Sequence, residues 1–250
     1  MINAKERASI EKVCMIAGKI MLMSGAETHR VEDTMHRMAR AFGVESAQVH
    51  ATPTGINFST GVAEMNSFLR ISKRPTDLNK IAEVNNISRR VPAGELDMDE
   101  AYVLLREIEL AAPGYTPWVQ IVAAALVSGC FAIMFKGEWI DFLPACLAGG
   151  LGFVVMFYMD RLLEIRFLAE FFAAFVIGVS SYLFVSNGFG MELSKVIIGA
   201  VMPLVPGLHI TNAIRDLVAG HLISGISKGI EATLTAFAIG AGVSLIFAFV

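Results

Sequence analysis

Between Met202 and Ala232 the chain reads MPLVPGLHITNAIRDLVAGHLISGISKGIEA, with Pro203, Pro206 and Gly207 standing directly before His209, Thr211, Asn212, Arg215 and Asp216. Proline removes a backbone donor and glycine is a weak helix former. These residues are therefore expected to break a helix and expose the half-helix ends and carbonyls that line transporter sites. The polar residues crowded against the break suit a small ionic substrate. The Arg215 guanidinium can hold a carboxylate through two parallel hydrogen bonds, with Asn212, Thr211 and His209 orienting the rest. Asp216 points away from Arg215 on a helix, so it need not neutralise its neighbour and is a candidate coupling or proton-relay group. The plainer alternative is a kinked helix running into a loop whose charges are solvated.

Glu170 and Glu231 are the other coupling candidates. Glu170 lies about one turn into an apolar stretch and shares a helical face with Ala174, Gly178 and Ser181, which directs its carboxylate toward protein rather than lipid. An acid at the membrane is a candidate site, although one so near a helix end can also reach the interface. Glu231, at the head of the last apolar stretch, can equally be a stabilising charge at a helix N-terminus.

A second cluster, Glu27, His29, Asp33 and His36, lies more than a hundred residues earlier in the chain. His29, Asp33 and His36 share one helical face, a spacing open to metal binding or acid/base chemistry. They lie opposite an apolar stripe of Val31, Met35, Met38 and Phe42, so a solvated helix face explains them better and no metal is expected. Glu27 falls beside the stripe, where burial would raise its pKa unless a capping role satisfies it. There is no G-x-S-x-G elbow, phosphate-cradling glycine loop or H-E-x-x-H run, so no catalytic residue or cofactor is assigned. Cys14, Cys130 and Cys146 lack metal-ligand spacing and read as buried thiols.

The elements that must carry these residues divide the chain in two. Of 250 residues, 55% are hydrophobic and 17% charged, too apolar for an ordinary soluble protein. Residues 1–116 hold 14 of the 20 basic and 15 of the 23 acidic residues. They form an expected cytosolic α+β domain. One helix runs through Ile10, Val13, Ala17 and Met21. A second, opened by a Ser24/Glu27 capping box, stops at Gly43. Two or three short strands are expected over 44–75, then two amphipathic helices, the last capped by Asp97 and Glu100. Pro113, Gly114 and Pro117 mark the boundary. Residues 117–250 then supply five stretches near the roughly 20 residues a bilayer crossing needs: Trp118–Phe135, Phe142–Met159, Phe167–Val185, Leu193–Ile210 and Gly229–Val250. The expected fold is an α-helical membrane protein of five spans with an N-terminal α+β cytosolic domain. Arg161, Arg166, Arg215 and Lys228 then lie inside against Lys136 and Lys195 outside, which places the N-terminus in the cytosol and the C-terminus outside. A four-step ladder of Ala232, Ala236, Gly240 and Ser244 suits close packing against another span or subunit. A net charge of −3 without a basic run excludes a nucleic-acid footprint.

Two segments, SGAETHRVEDTMHRMARAFGV at 24–44 and LVPGLHITNAIRDLVAGHLISGISKGIEA at 204–232, resemble the bacterial threonine/serine exporter family. The resemblance covers nearly the whole chain. Family members occur as one chain of about ten spans or as two subunits, and this chain resembles the larger subunit of the split form, close to that of a two-component succinate exporter. The family motif carries an acid more often than a histidine after the Ala-Gly pair, so His221 is a departure. The resemblance implies a multi-pass secondary exporter of small carboxylate metabolites, threonine/serine or a dicarboxylate such as succinate, in the bacterial plasma membrane. Its implied partner is a second membrane subunit of about four to five spans. Alternatives from other classes are a membrane-anchored enzyme using Glu27, His29 and Asp33 of the 24–44 motif, and a membrane scaffold.

Overall fold

The computed structural model describes residues 4–61, 66–112 and 114–248. Pro113 and Val250, used above as a boundary marker and a span end, lie outside them. The chain separates into two compact units, residues 1–114 with 211–229, and residues 115–210 with 230–250. A single division at residue 116 leaves 211–229 with the membrane spans; in the structure that segment belongs with the N-terminal residues. The physical reason is that Asn212, Asp216 and Lys228 find their hydrogen-bonding partners there.

In the first unit, helices α1 (Ala4–Met23) and α2 (Thr28–Ala41) are followed by strands β1 (Gln48–Thr52), β2 (Gly55–Ser59) and β3 (Ser67–Arg70), then α3 (Leu78–Arg90) and α4 (Met98–Leu110). The strands form an antiparallel meander in the order β1-β2-β3, with Thr52 opposite Gly55 across a two-residue turn and Ile56 opposite Leu69. Ile10, Met21, Val31, Met35, Met38, Ile56, Phe58, Val84 and Leu105 are buried in one continuous core. The expected apolar faces of α1 to α4 are the ones that meet there. The Asp97/Glu100 capping box forms on α4. The Ser24/Glu27 box does not: α2 begins after Glu27, whose side chain makes no cap, because it is drawn to two arginines instead.

The second unit contains α5 (Pro117–Met134), α6 (Trp139–Leu163), α7 (Arg166–Ser186) and α8 (Leu193–Val201), with the start of α9 (Gly207–Val218) and most of α10 (Leu222–Ser244). Among the described residues four helices are long and apolar enough to cross a membrane, and five if Leu193–Leu204 and Gly207–Val218, bent by 57°, count as one. The break falls as expected: Pro203 sits in a 3-10 turn over Met202–Leu204 and Gly207 opens α9. Small residues bring the helices together. A Cβ on Gly199 would lie 2.6 Å from the Ala132 nitrogen and 2.7 Å from the Ser128 carbonyl oxygen, so α8 can approach α5 so closely only with glycine there. Asp141 is wholly buried near the start of α6, accepting from the Met191 amide at 2.7 Å and the Glu138 amide at 3.1 Å. Cys14 and Cys146 are buried but Cys130 is exposed, on an outward face of α5. In a membrane span that face meets apolar surroundings, so exposure costs it nothing.

Candidate functional site

The two segments singled out in the sequence meet in the first unit. Gly25, at φ +86°, and Gly220, also at φ +86°, make the turns between α1 and α2 and between α9 and α10, a backbone conformation that a Cβ disfavours. Across these turns the Asn212 amide donates to the Gly25 carbonyl at 2.9 Å. Asp216, wholly buried, accepts from the Thr28 amide at 2.8 Å and the Thr28 hydroxyl at 3.0 Å. It therefore caps the N-terminus of α2 from 188 residues away, satisfying a donor that helices leave free and placing negative charge at the positive end of the dipole. Lys228, also buried, donates to Asp216 Oδ2 at 2.7 Å and to the Ala26 carbonyl at 3.2 Å, closing a buried ion pair. A buried pair survives only when further hydrogen bonds complete it, and here they come from the start of α2.

Glu27 stands beside this pair. Its Oε1 accepts from Arg215 and its Oε2 from Arg30, at 3.1 Å for the latter. Burial alone would push its carboxyl up. The hydrogen bond from Arg215 and the charge and hydrogen bond of Arg30 outweigh that, and hold it below the usual carboxylate range. Both guanidiniums remain open to solvent, the side chains 43% and 60% exposed for Arg30 and Arg215, and line a cleft of about 450 Å³ with Glu27, His29, Ile214, Val218 and Ala219. Each spends one nitrogen on Glu27, so the cleft offers further charged N–H donors to an anion.

A model of the threonine/serine exporter family matches residues 12–250. The chain belongs to that family. Among curated relatives it is 24% identical to the Escherichia coli K12 protein named "Probable succinate transporter subunit YjjP", over 97% of this chain and 95% of that one. It is 22% identical to the "Threonine/serine exporter" of Corynebacterium glutamicum, over 95% of this chain but 50% of the relative, and 22% identical to a "Probable threonine/serine exporter" of Mycobacterium tuberculosis. The chain thus spans nearly all of the first relative, half of the second and 40% of the third. No solved structure matches it.

The other expected site residues of this exporter-family chain separate. Thr211 is exposed on α9. His209 lies 3.2 Å from an Arg166 nitrogen, within the second unit. Arg166 also donates to Glu170 Oε1 at 3.0 Å, and Glu170 is 1% exposed with Oε2 lacking a partner among the described residues. Its expected face is the buried one, since Ala174, Ile177 and Ser181 line it without exposure. Glu231 is exposed. Asp33 turns to Arg37 at 3.2 Å and lines a separate cleft with His36 and Arg40, so Glu27, His29 and Asp33 do not converge on one point. Sequence reasoning missed Thr28, Arg30 and Lys228. For Lys228 a signal was present: it is a lone cation among Gly, Ser, Ile and Ala, where a lysine needs an acid partner unless it is solvated.

Proposed function

We propose that this family member is a secondary transporter subunit that moves small carboxylate metabolites out across the bacterial plasma membrane, with the first unit cytosolic and the C-terminus outside. The observation that carries this reading is the pair of solvent-facing guanidiniums, Arg30 and Arg215, held by the buried Glu27 at the rim of one cleft. A planar fork with unused donors is the chemistry that takes a carboxylate, and Glu27 keeps both forks in place. Threonine, serine and a dicarboxylate such as succinate all present that group. Near-complete coverage of a relative named as a transporter subunit supports a second membrane subunit completing the path. Glu170, buried with one oxygen lacking a partner among the described residues, is the proposed proton-coupling group, whereas Asp216 is occupied as a cap and ion-pair partner. Thr211, Asn212, His209 and Glu231 are assigned secondary roles around the path.

The test is export from cells carrying the chain with and without the partner, using native, Arg215→Lys and Glu170→Gln forms. The lysine variant is expected to lose substrate affinity by roughly 1.5–3 kcal/mol, the range for hydrogen bonds to charged groups. The glutamine variant should bind but lose proton-driven turnover. Both variants present in the membrane at native levels and exporting at native rates across external pH would remove these assignments.

A further inference from the structure

The charges around α2 are almost all matched. Glu27 has Arg30 and Arg215, Asp216 has Lys228, and Asp33 has Arg37. Glu32 differs: among the described residues it pairs with no lysine or arginine, though its side chain is only 17% exposed. Its Oε1 accepts from the Ala51 amide at 2.7 Å and lies 3.9 Å from His50 Nδ1 on β1, while its Oε2 lies 3.8 Å from His221 Nε2. His221 in turn lies beside His29, with ring centres 6.4 Å apart. The Nδ1 of His29 is buried, has no hydrogen-bond partner among the described residues, and stands 3.6 Å from Asp216 Oδ1. Two imidazoles therefore lie side by side between two carboxylates, one of which has no fixed cation.

We propose that His29 and His221 form one proton-binding site, which takes a single proton from solvent to complete the charge of Glu32. One imidazolium is attracted from both ends of the array. Two would repel each other at this separation, so the first proton opposes the second. A proton on His221 pairs with Glu32. A proton on His29 faces Asp216 Oδ1, the oxygen that accepts from the Thr28 amide at the start of α2, while Lys228 holds Oδ2. Loading this site therefore alters the junction where the 24–44 segment meets α9 and α10, and no lysine or arginine needs to move for it to do so. The groups around the pair are Glu27 just before α2, Arg30 and Glu32 on α2, His50 on β1, Arg215 and Asp216 on α9, and Lys228 on α10. The site stands on this geometry alone; only its link to export rests on the transporter reading.

The experiment follows the ring signals of the five histidines by NMR in the purified full chain, isotope-labelled at histidine, between about pH 5 and 8. His36, which lines the other cleft, is the internal reference. Replacing one member of the pair, His221→Gln or His29→Gln, should raise the proton affinity of the other about three- to tenfold, the effect of removing a like charge at this distance in a medium near water. Glu32→Gln should lower the affinity of His221 and leave His36 unchanged. Because Asp216 also holds α2 in place, the two histidine variants and Glu32→Gln decide the matter. Identical titration of His29 and His221 in the native chain and all three variants would overturn the site. A coupled titration in a chain that exports nothing would leave the site standing and sink the transporter reading; independent titration in a chain that exports would do the reverse.

Discussion

The two units solve packing in opposite ways. The first buries Ile, Leu, Met, Phe and Val and turns its charges outward or into pairs. The second buries Ala, Gly and Ser along its helix contacts and turns Leu, Phe, Val and Trp outward, with Trp118 and Trp139 76% and 80% exposed at the starts of α5 and α6. Water drives large apolar groups inward in the first case. In lipid that drive is absent, so close backbone approach and dispersion hold the helices instead. The comparison teaches that large side chains dominate the first core, whereas in the second small residues at the helix contacts leave room for only a few such as Ile177 and Leu204.

Removing a large core side chain should separate the units most sharply. Phe58→Ala is expected to destabilise the first unit by about 3–5 kcal/mol, read by denaturant unfolding of the full chain, while α5 to α8 keep their helicity. A loss shared equally by both units would show that they fold as one. Lys228→Met should cost a similar or slightly smaller amount, about 3–5 kcal/mol, by leaving Asp216 charged, buried and without its cation. Adding Asp216→Asn should then cost less than the sum of the two single changes, as expected of residues in contact.

In the second unit the sensitive change is the addition of one methyl group. Gly199→Ala should destabilise the α5–α8 contact by about 1–3 kcal/mol, because the new Cβ meets backbone rather than a movable side chain. Gly240→Leu sharpens the point in the other direction. Open space surrounds Gly240 and Ala236 is exposed, so within this chain the change should be worth less than about 0.5 kcal/mol. Impaired export at native yield of the isolated chain would place the partner subunit on that face; unchanged export would make the outer part of the small-residue ladder incidental.

The smallest effect is in pH. The Glu27 carboxyl is held below its ordinary value, so the stability it contributes is fully present above the unfolded carboxylate value of about 4.3 and is lost as pH falls through the lower folded value. Thermal unfolding of the native chain should become easier below about pH 4, with Glu27→Gln removing part of that slope. An equal slope in both proteins would place the acid sensitivity elsewhere, first at Glu109, which Lys19 and Arg106 hold low against the upward push of burial.

Local pattern alone determined much of this protein: the apolar faces of α1 to α4, two or three short strands between α2 and α3, the Asp97 cap, the apolar spans and the proline break are all patterns within about 25 residues, the range over which backbone geometry sets which side chains share a face. The site was legible only in its parts. Glu27, Arg215 and Asp216 stood out by type, but Arg215 reads in isolation as a free substrate ligand and Asp216 as a free proton carrier. Tertiary structure alone decided that Arg215 is tied to Glu27, that Asp216 caps α2 and binds Lys228, and that 211–229 belongs with the N-terminal residues. The reason is physical. A buried charge takes its role from whichever partner replaces its water, and nothing in the local spacing of α2 points to a partner 188 residues along the chain.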